Sequence, residues 1–163
     1  TIPSMDIGKT APDFTLYAHD GETVTLSDHR GSTVLLAFYP AAFTGVCEEE
    51  LCTFRDSLAN FNDLGVTVFG ISVDSRFANA AFAEKNNLTF PLLSDYNREA
   101  TDAFGIRFQD LAGMSGYDVS NRCVFIIDGE GRVAWQWIAE SLGDQPPWDE
   151  VRAAAEAAST VSS

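Results

Sequence analysis

Val34-Leu35-Leu36-Ala37-Phe38-Tyr39 runs directly into Pro40-Ala41-Ala42-Phe43-Thr44-Gly45-Val46-Cys47, and a second cysteine follows at Cys52. The first six residues form an uninterrupted apolar run, the mark of a strand buried on both faces. Glu48 to Leu64 mixes polar and apolar residues at helical spacing, so a helix is expected from about Cys47 to Leu64, ending at Gly65. A thiol therefore sits where a buried strand turns into a helix. In the first turn of that helix, free backbone N–H groups and the positive end of the dipole favour the thiolate, the reactive form of sulfur.

The same patterns extend outward from this turn. Phe14 to Tyr17 and Val24 to Leu26 flank Asp20-Gly21 and predict an N-terminal hairpin, after which Asp28 to Ser32 leads into the strand Thr33 to Tyr39. Val66 to Val73 is a second apolar strand, and Asp74 or Ser75 is placed to cap a helix that continues to about Asn87. Phe90 to Leu93 is short and extended, Asn97 to Phe104 is a brief helix ended by Gly105, and Phe108 to Ser120 is expected to be a loop. Asn121 to Ile127 and Val133 to Ile138 flank Asp128-Gly129-Glu130-Gly131, a hairpin signal. Pro146-Pro147 precedes an alanine-rich helix expected to fray after Ala158. This order predicts an α/β protein: a mixed central β-sheet flanked by helices, resembling the thioredoxin-like fold with an N-terminal hairpin extension. No repeat, linker or shift of composition divides the chain, so residues 1–163 are expected to form one domain.

Composition narrows the function. With 45% hydrophobic residues the chain can bury a full core without a disulfide scaffold. No signal peptide is recognisable before Asp13 and no window reaches the ~18 apolar residues of a membrane span, so a soluble, cytoplasmic protein is expected. In that compartment the three cysteines are candidates for chemistry rather than bridges. The net charge of −14 disfavours nucleic acid and anionic membranes as partners. Lys9 and Lys85 are the only lysines, and with many small residues this balance resembles proteins of salt-loving organisms. His19 and His29 are too few and too far apart for a metal site, and no phosphate or dinucleotide loop is present, so no cofactor is expected. Trp135, Trp137 and Trp148 are expected to serve packing or an interface.

PxxxTxxC, here Pro40, Thr44 and Cys47, resembles the active-site signature of the peroxiredoxins. The likeness extends to GKTAPDFTL near the start, FPLLSD at Phe90 to Asp95 and NRCVFIID around Arg122, and FTGVCEEEL is most similar to the AhpE-type and peroxiredoxin Q-type groups. The resemblance implies a cofactor-free thiol peroxidase in which Cys47 attacks hydrogen peroxide or a small organic hydroperoxide and becomes a sulfenic acid. Thr44 would hydrogen-bond the thiolate and the peroxide, and Arg122 would be the charged donor that favours the thiolate and holds the peroxide oxygens. Pro40 would shield the pocket and shape the turn, and Glu50 would orient Arg122 and Thr44. Glu48 and Glu49 suit a first helical turn, although carboxylates beside a thiol disfavour its ionisation.

Cys52 stands where many peroxiredoxin Q-type proteins carry a resolving cysteine, whereas AhpE-type proteins usually lack one there. Five residues along an unbroken helix set the Cα atoms roughly 8.6 Å apart, beyond the ~7 Å that a disulfide spans. Resolution by Cys52, with recycling by thioredoxin or a similar dithiol protein, would thus require the helix start to unwind. Alternatively Cys52 packs beside Leu51 and Phe54 and an external thiol resolves Cys47. Cys123 follows Arg122 on a strand and should face away from it, into the core. A thiol–disulfide oxidoreductase lacks its CxxC here, while a redox sensor or holdase would share the first chemical step. Aromatic content around Phe43, Phe77 and Phe104 suggests a homodimer.

Overall fold

The computed structural model describes residues 6–161, so both ends of the expected domain, residues 1–5 and 162–163, lie outside the described residues. The elements follow the chain as β1 (Thr15–Ala18), β2 (Thr23–Thr25), a 3-10 turn at Leu26–His29, β3 (Thr33–Phe38), α1 (Gly45–Asp63), β4 (Val66–Ser72), α2 (Arg76–Asn86) and β5 (Leu92–Ser94). Then come α3 (Glu99–Ala103), β6 (Arg107–Phe108), a 3-10 turn at Leu111–Gly113, β7 (Val119–Ser120), β8 (Cys123–Ile127), β9 (Val133–Ile138) and α4 (Trp148–Val161). Seven strands form one mixed sheet in the order β2-β1-β5-β4-β3-β8-β9. The pairs β3–β4 and β4–β5 are parallel, while β1–β2, β1–β5, β3–β8 and β8–β9 are antiparallel. No helix among the described residues is long and apolar enough to cross a membrane.

The apolar run Val34 to Tyr39 lies at the centre of this sheet, covered on both faces. Leu35, Ala37 and Tyr39 pack into one core with Leu51, Phe54 and Phe61 of α1, Phe82 of α2 and Val151 and Ala155 of α4. Val34, Leu36 and Phe38 point into a second core with Phe14, Leu16, Phe69, Phe104 and Phe125. Strand side chains alternate between faces, so a strand buried on both sides must be apolar at every position. Each fully buried Leu or Phe contributes about 1.5–3 kcal/mol. Gly70 is required by the first of these cores, because a Cβ there would lie 2.7 Å from the Leu92 side chain and 3.3 Å from the Tyr39 ring.

The N-terminal hairpin and the Asp128–Gly131 hairpin form where the turn residues placed them, with Gly21 and Gly131 at φ 91° and 82°. Ser75, not Asp74, caps α2, accepting from Ala78 N–H at 3.1 Å. Several boundaries differ from expectation: the helix expected over Asn97 to Phe104 spans Glu99–Ala103, and the strand expected over Phe90 to Leu93 spans Leu92–Ser94. The loop from Phe108 to Ser120 is pinched by a two-stranded ribbon, β6 with β7, because Arg107 clips Asp102 and Asp118 together and Asp118 in turn accepts from Asp110 N–H. Helix α1 begins at Gly45, two residues early, since Glu48 N–H already bonds the Thr44 carbonyl. Helix α4 continues past Ala158 to Val161.

Candidate active site

Strand β3 ends at Phe38, and its extension is fixed by Tyr39 N–H on the Ile71 carbonyl at 2.9 Å. The chain then turns through Phe43, whose φ of 66° is unusual for a bulky residue, and enters α1 at Thr44. This turn is held from below: Ala42 N–H donates to Asp74 Oδ2 at 2.8 Å, and Ser72 Oγ donates to the same oxygen at 2.8 Å. Cys47 therefore lies in the first turn of α1, only 1% exposed.

Arg122 reaches this sulfur from across the sheet. It immediately precedes β8, and the alternation that sends Cys123, Phe125 and Ile127 to one core places Arg122 on the face of α1. Its guanidinium is 2% exposed and bonded through each of its nitrogens: Nη2 donates to Cys47 Sγ at 3.3 Å, Nη1 to Glu50 Oε1 at 2.8 Å, and Nε to the Leu142 carbonyl at 3.0 Å. Its backbone is held as well, donating to Asn121 Oδ1 and accepting from Ala139 N–H. Burial works against the Arg122 charge, but Glu50 and Cys47 together outweigh it and raise its pKa.

Glu50 is fully buried, and its Oε2 has no hydrogen-bond partner among the described residues. Burial pushes its carboxyl up to about 7, against the pull of Arg122. Two groups able to carry negative charge thus share one guanidinium. The neighbouring acids lie elsewhere: Glu48 pairs with Lys85 of α2 at 3.0 Å, and Glu49 is exposed.

A pocket of about 250 Å³ opens onto Cys47, lined by Pro40, Thr44, Val46, Leu111, Arg122 and Leu142 among others. Pro40 and Thr44 line the same pocket as Cys47. The Thr44 hydroxyl donates to the Ala41 carbonyl at 2.8 Å rather than to the sulfur or to its own helix, which leaves its lone pairs to accept. Leu111, Leu142 and the supporting Asp74 escaped sequence reasoning. Asp74 looked like a helix cap, and Leu111 sits in a stretch rich in Gly, Ser and Asp with no periodicity to mark it.

Cys52 is not in the pocket. It lies on the same unbroken helix, half-buried between α1 and α2, with its thiol 3.6 Å from Asn86 Oδ1. Cys123 is fully buried in the opposite core, where burial drives its thiol pKa well up. His19 accepts from Leu92 N–H at 3.0 Å and His29 packs edge-on against Phe69, so both serve packing. Trp148 packs edge-on against Phe54, and Trp135 and Trp137 lie against the same core. Phe104 is fully buried, which removes it from any interface; Phe43 and Phe77 remain exposed.

Residues 7–136 match the AhpC/TSA family. Peroxiredoxin Bcp of Bacillus subtilis (strain 168) is 39% identical over 134 residues, covering 82% of this chain and 85% of that protein. Among solved structures, peroxidoxin BcpB from Mycobacterium tuberculosis superposes with a TM-score of 0.82 at 33% identity, over 94% of this chain and 97% of that one. Peroxiredoxin Q of Xanthomonas campestris gives 0.79 at 28% identity, over 90% and 91%. Likeness this extensive in both sequence and fold carries more than architecture: the chain belongs to the AhpC/TSA family and is a Bcp-type peroxiredoxin, a thiol peroxidase.

Proposed function

We propose that Cys47 reduces hydrogen peroxide and small organic hydroperoxides, and that the chain acts without a cofactor as one cytoplasmic domain spanning residues 1–163. The observation that carries this reading is the buried guanidinium of Arg122, 3.3 Å from Cys47 Sγ and held in place by Glu50 and the Leu142 carbonyl. The Cys47 thiolate attacks one peroxide oxygen in line with the O–O bond. An S–O bond forms as O–O breaks, and the departing oxygen takes a proton and leaves as water or an alcohol. Charge moves from sulfur to oxygen during this step, and Arg122 is positioned to stabilise both ends. Thr44, whose proton is engaged by Ala41, accepts from the peroxide O–H and orients it. Pro40 walls the pocket, and Glu50 positions Arg122.

Cys47 is then a sulfenic acid. Cys52 attacks that sulfur, water leaves, and a Cys47–Cys52 disulfide forms. Because both lie on α1, its first turns unwind in each cycle. Thioredoxin or a similar dithiol protein returns two electrons. Three free thiols suit a reducing compartment. The exposed rings of Phe43 and Phe77 support a homodimer. With a net charge of −14, nucleic acid and anionic membrane are not partners in this reading.

The test is non-reducing mass spectrometry after one equivalent of hydrogen peroxide, with peptides mapped across both cysteines. Loss of two hydrogens on the Cys47–Cys52 pair supports the scheme, whereas oxygen retained on Cys47 with Cys52 free means an external thiol resolves it. Substantial turnover in Cys47→Ser refutes the mechanism. Sustained turnover with a dithiol reductant separates a catalyst from a redox sensor.

A further inference from the structure

We propose that Leu111 is a specificity-determining residue, which favours hydroperoxides bearing a hydrocarbon group over hydrogen peroxide; this rests on the peroxidase reading above. The polar side chains that line the pocket are those of Thr44, Cys47 and Arg122. Arg122 bonds Cys47, Glu50 and the Leu142 carbonyl through one N–H of each nitrogen, and the Thr44 proton is taken by Ala41. Beyond the reacting oxygens a substrate meets Pro40, Val46, Leu111 and Leu142. Hydrogen peroxide has nothing to set against these side chains. An alkyl or aralkyl hydroperoxide has, and covering them removes apolar surface from water.

Leu111 is half-buried, so part of its hydrocarbon remains to be covered. It also differs from its neighbours in how it is attached. Val46 belongs to the first turn of α1 beside Cys47, and the Leu142 carbonyl holds Arg122, so changes there reach the reacting groups. Leu111 comes from the segment between β6 and β7, whose own backbone bonds are joined by one from outside, Arg98 Nε donating to the Asp118 carbonyl at 2.7 Å. Leu111 N–H donates to the Tyr117 carbonyl at 2.9 Å, Gly116 N–H to Asp110 Oδ1 at 2.7 Å, and Asp110 N–H to Asp118 Oδ1 at 3.1 Å. Arg107 then ties Asp118 to Asp102. A strapped segment of this kind presents Leu111 as a fixed wall.

The experiment measures kcat/KM of the full chain for hydrogen peroxide, tert-butyl hydroperoxide and cumene hydroperoxide. In the parent, kcat/KM rises along this series. Leu111→Asn, of similar size but polar, lowers the ratio of cumene hydroperoxide to hydrogen peroxide by about tenfold, the discrimination that small apolar contacts supply. Leu111→Met retains that ratio within about twofold, since it keeps the hydrocarbon wall. The ratio is taken on one preparation, so a smaller folded fraction cancels. A flat series in the parent, or the same ratio in Leu111→Asn as in the parent, overturns the proposal while leaving the peroxidase reading intact. A parent that consumed no peroxide would overturn both.

Discussion

Glu50 should make this protein less stable as the pH rises, in contrast with most carboxylates. Its carboxyl is raised from 4.5 to about 7, chiefly by burial, because Arg122 at 2.8 Å compensates only part of the lost hydration and Oε2 has no partner among the described residues. The native state thus holds this proton more tightly than the unfolded chain. The resulting stabilisation is complete below 4.5 and is lost as pH rises through about 7. The whole change amounts to about 3 kcal/mol, at about 1.4 kcal/mol per pH decade. Asp102 and Asp118 are held down by hydrogen bonds from Arg107, so they titrate below the window in which Glu50 acts. Urea unfolding of the reduced protein at about pH 5 and about pH 8.5 gives the change, and Glu50→Gln gives the background to subtract. The parent should lose most of that ~3 kcal/mol relative to Glu50→Gln. Arg122→Met should keep the dependence and extend it to higher pH, since Glu50 then loses its counterion. Parallel pH profiles for parent and Glu50→Gln would refute the reasoning, as would a parent that gains stability at high pH.

Other expectations concern the ties around the same turn. Lys85 pairs with Glu48 at 3.0 Å and lies 5.7 Å over the Phe43 ring, clamping the start of α1 to α2. At 59% side-chain exposure this clamp is worth about 1 kcal/mol. Lys85→Gln should therefore speed Cys47–Cys52 closure a few-fold in quenched-flow mass spectrometry, with the difference narrowing at high salt; equal closure rates would dismiss the clamp. Asp74→Ala removes the acceptor for Ala42 N–H and Ser72 Oγ and should cost about 1–3 kcal/mol in urea unfolding, together with a fall in kcat/KM for peroxide. Unchanged kcat/KM would reduce Asp74 to a structural role. A net charge of −14 should make the melting temperature rise with added potassium chloride, and a melting temperature insensitive to salt would argue against a salt-adapted surface.

The centre of the sheet was legible because β3 and β8 are buried on both faces and so carry apolar runs. The turn at Cys47 was legible for a related reason: Pro40, Thr44 and Cys47 are fixed relative to one another by consecutive backbone. Arg122 and Glu50 are 72 positions apart, and no periodicity links them; the resemblance to a family pointed to both. What escaped is what depends on tertiary closure alone. Asp74 looks like a cap because Asp before a helix usually is one, and only the packing of the β4–α2 connection against Ala42 gives it another use. Leu111 is one apolar residue in a polar stretch, brought to the pocket by ion pairs among Arg107, Asp102 and Asp118.

The energetics of Glu50 also bear on why it is there. An acid whose burial lowers stability at neutral pH does not earn its place through folding, and a neutral side chain of similar shape would cost less. Nor does Glu50 face the pocket, which is lined by its neighbours on α1 and by Arg122. What it supplies is direction. A guanidinium is planar, so fixing Nη1 on Glu50 and Nε on the Leu142 carbonyl leaves Nη2 one orientation, and that orientation is the one facing Cys47. Loss of stability as pH rises through about 7 is then the thermodynamic mark of an arginine held rigid beside a reactive sulfur. The pH profile of unfolding and the orientation of Arg122 are two readings of one buried carboxylate.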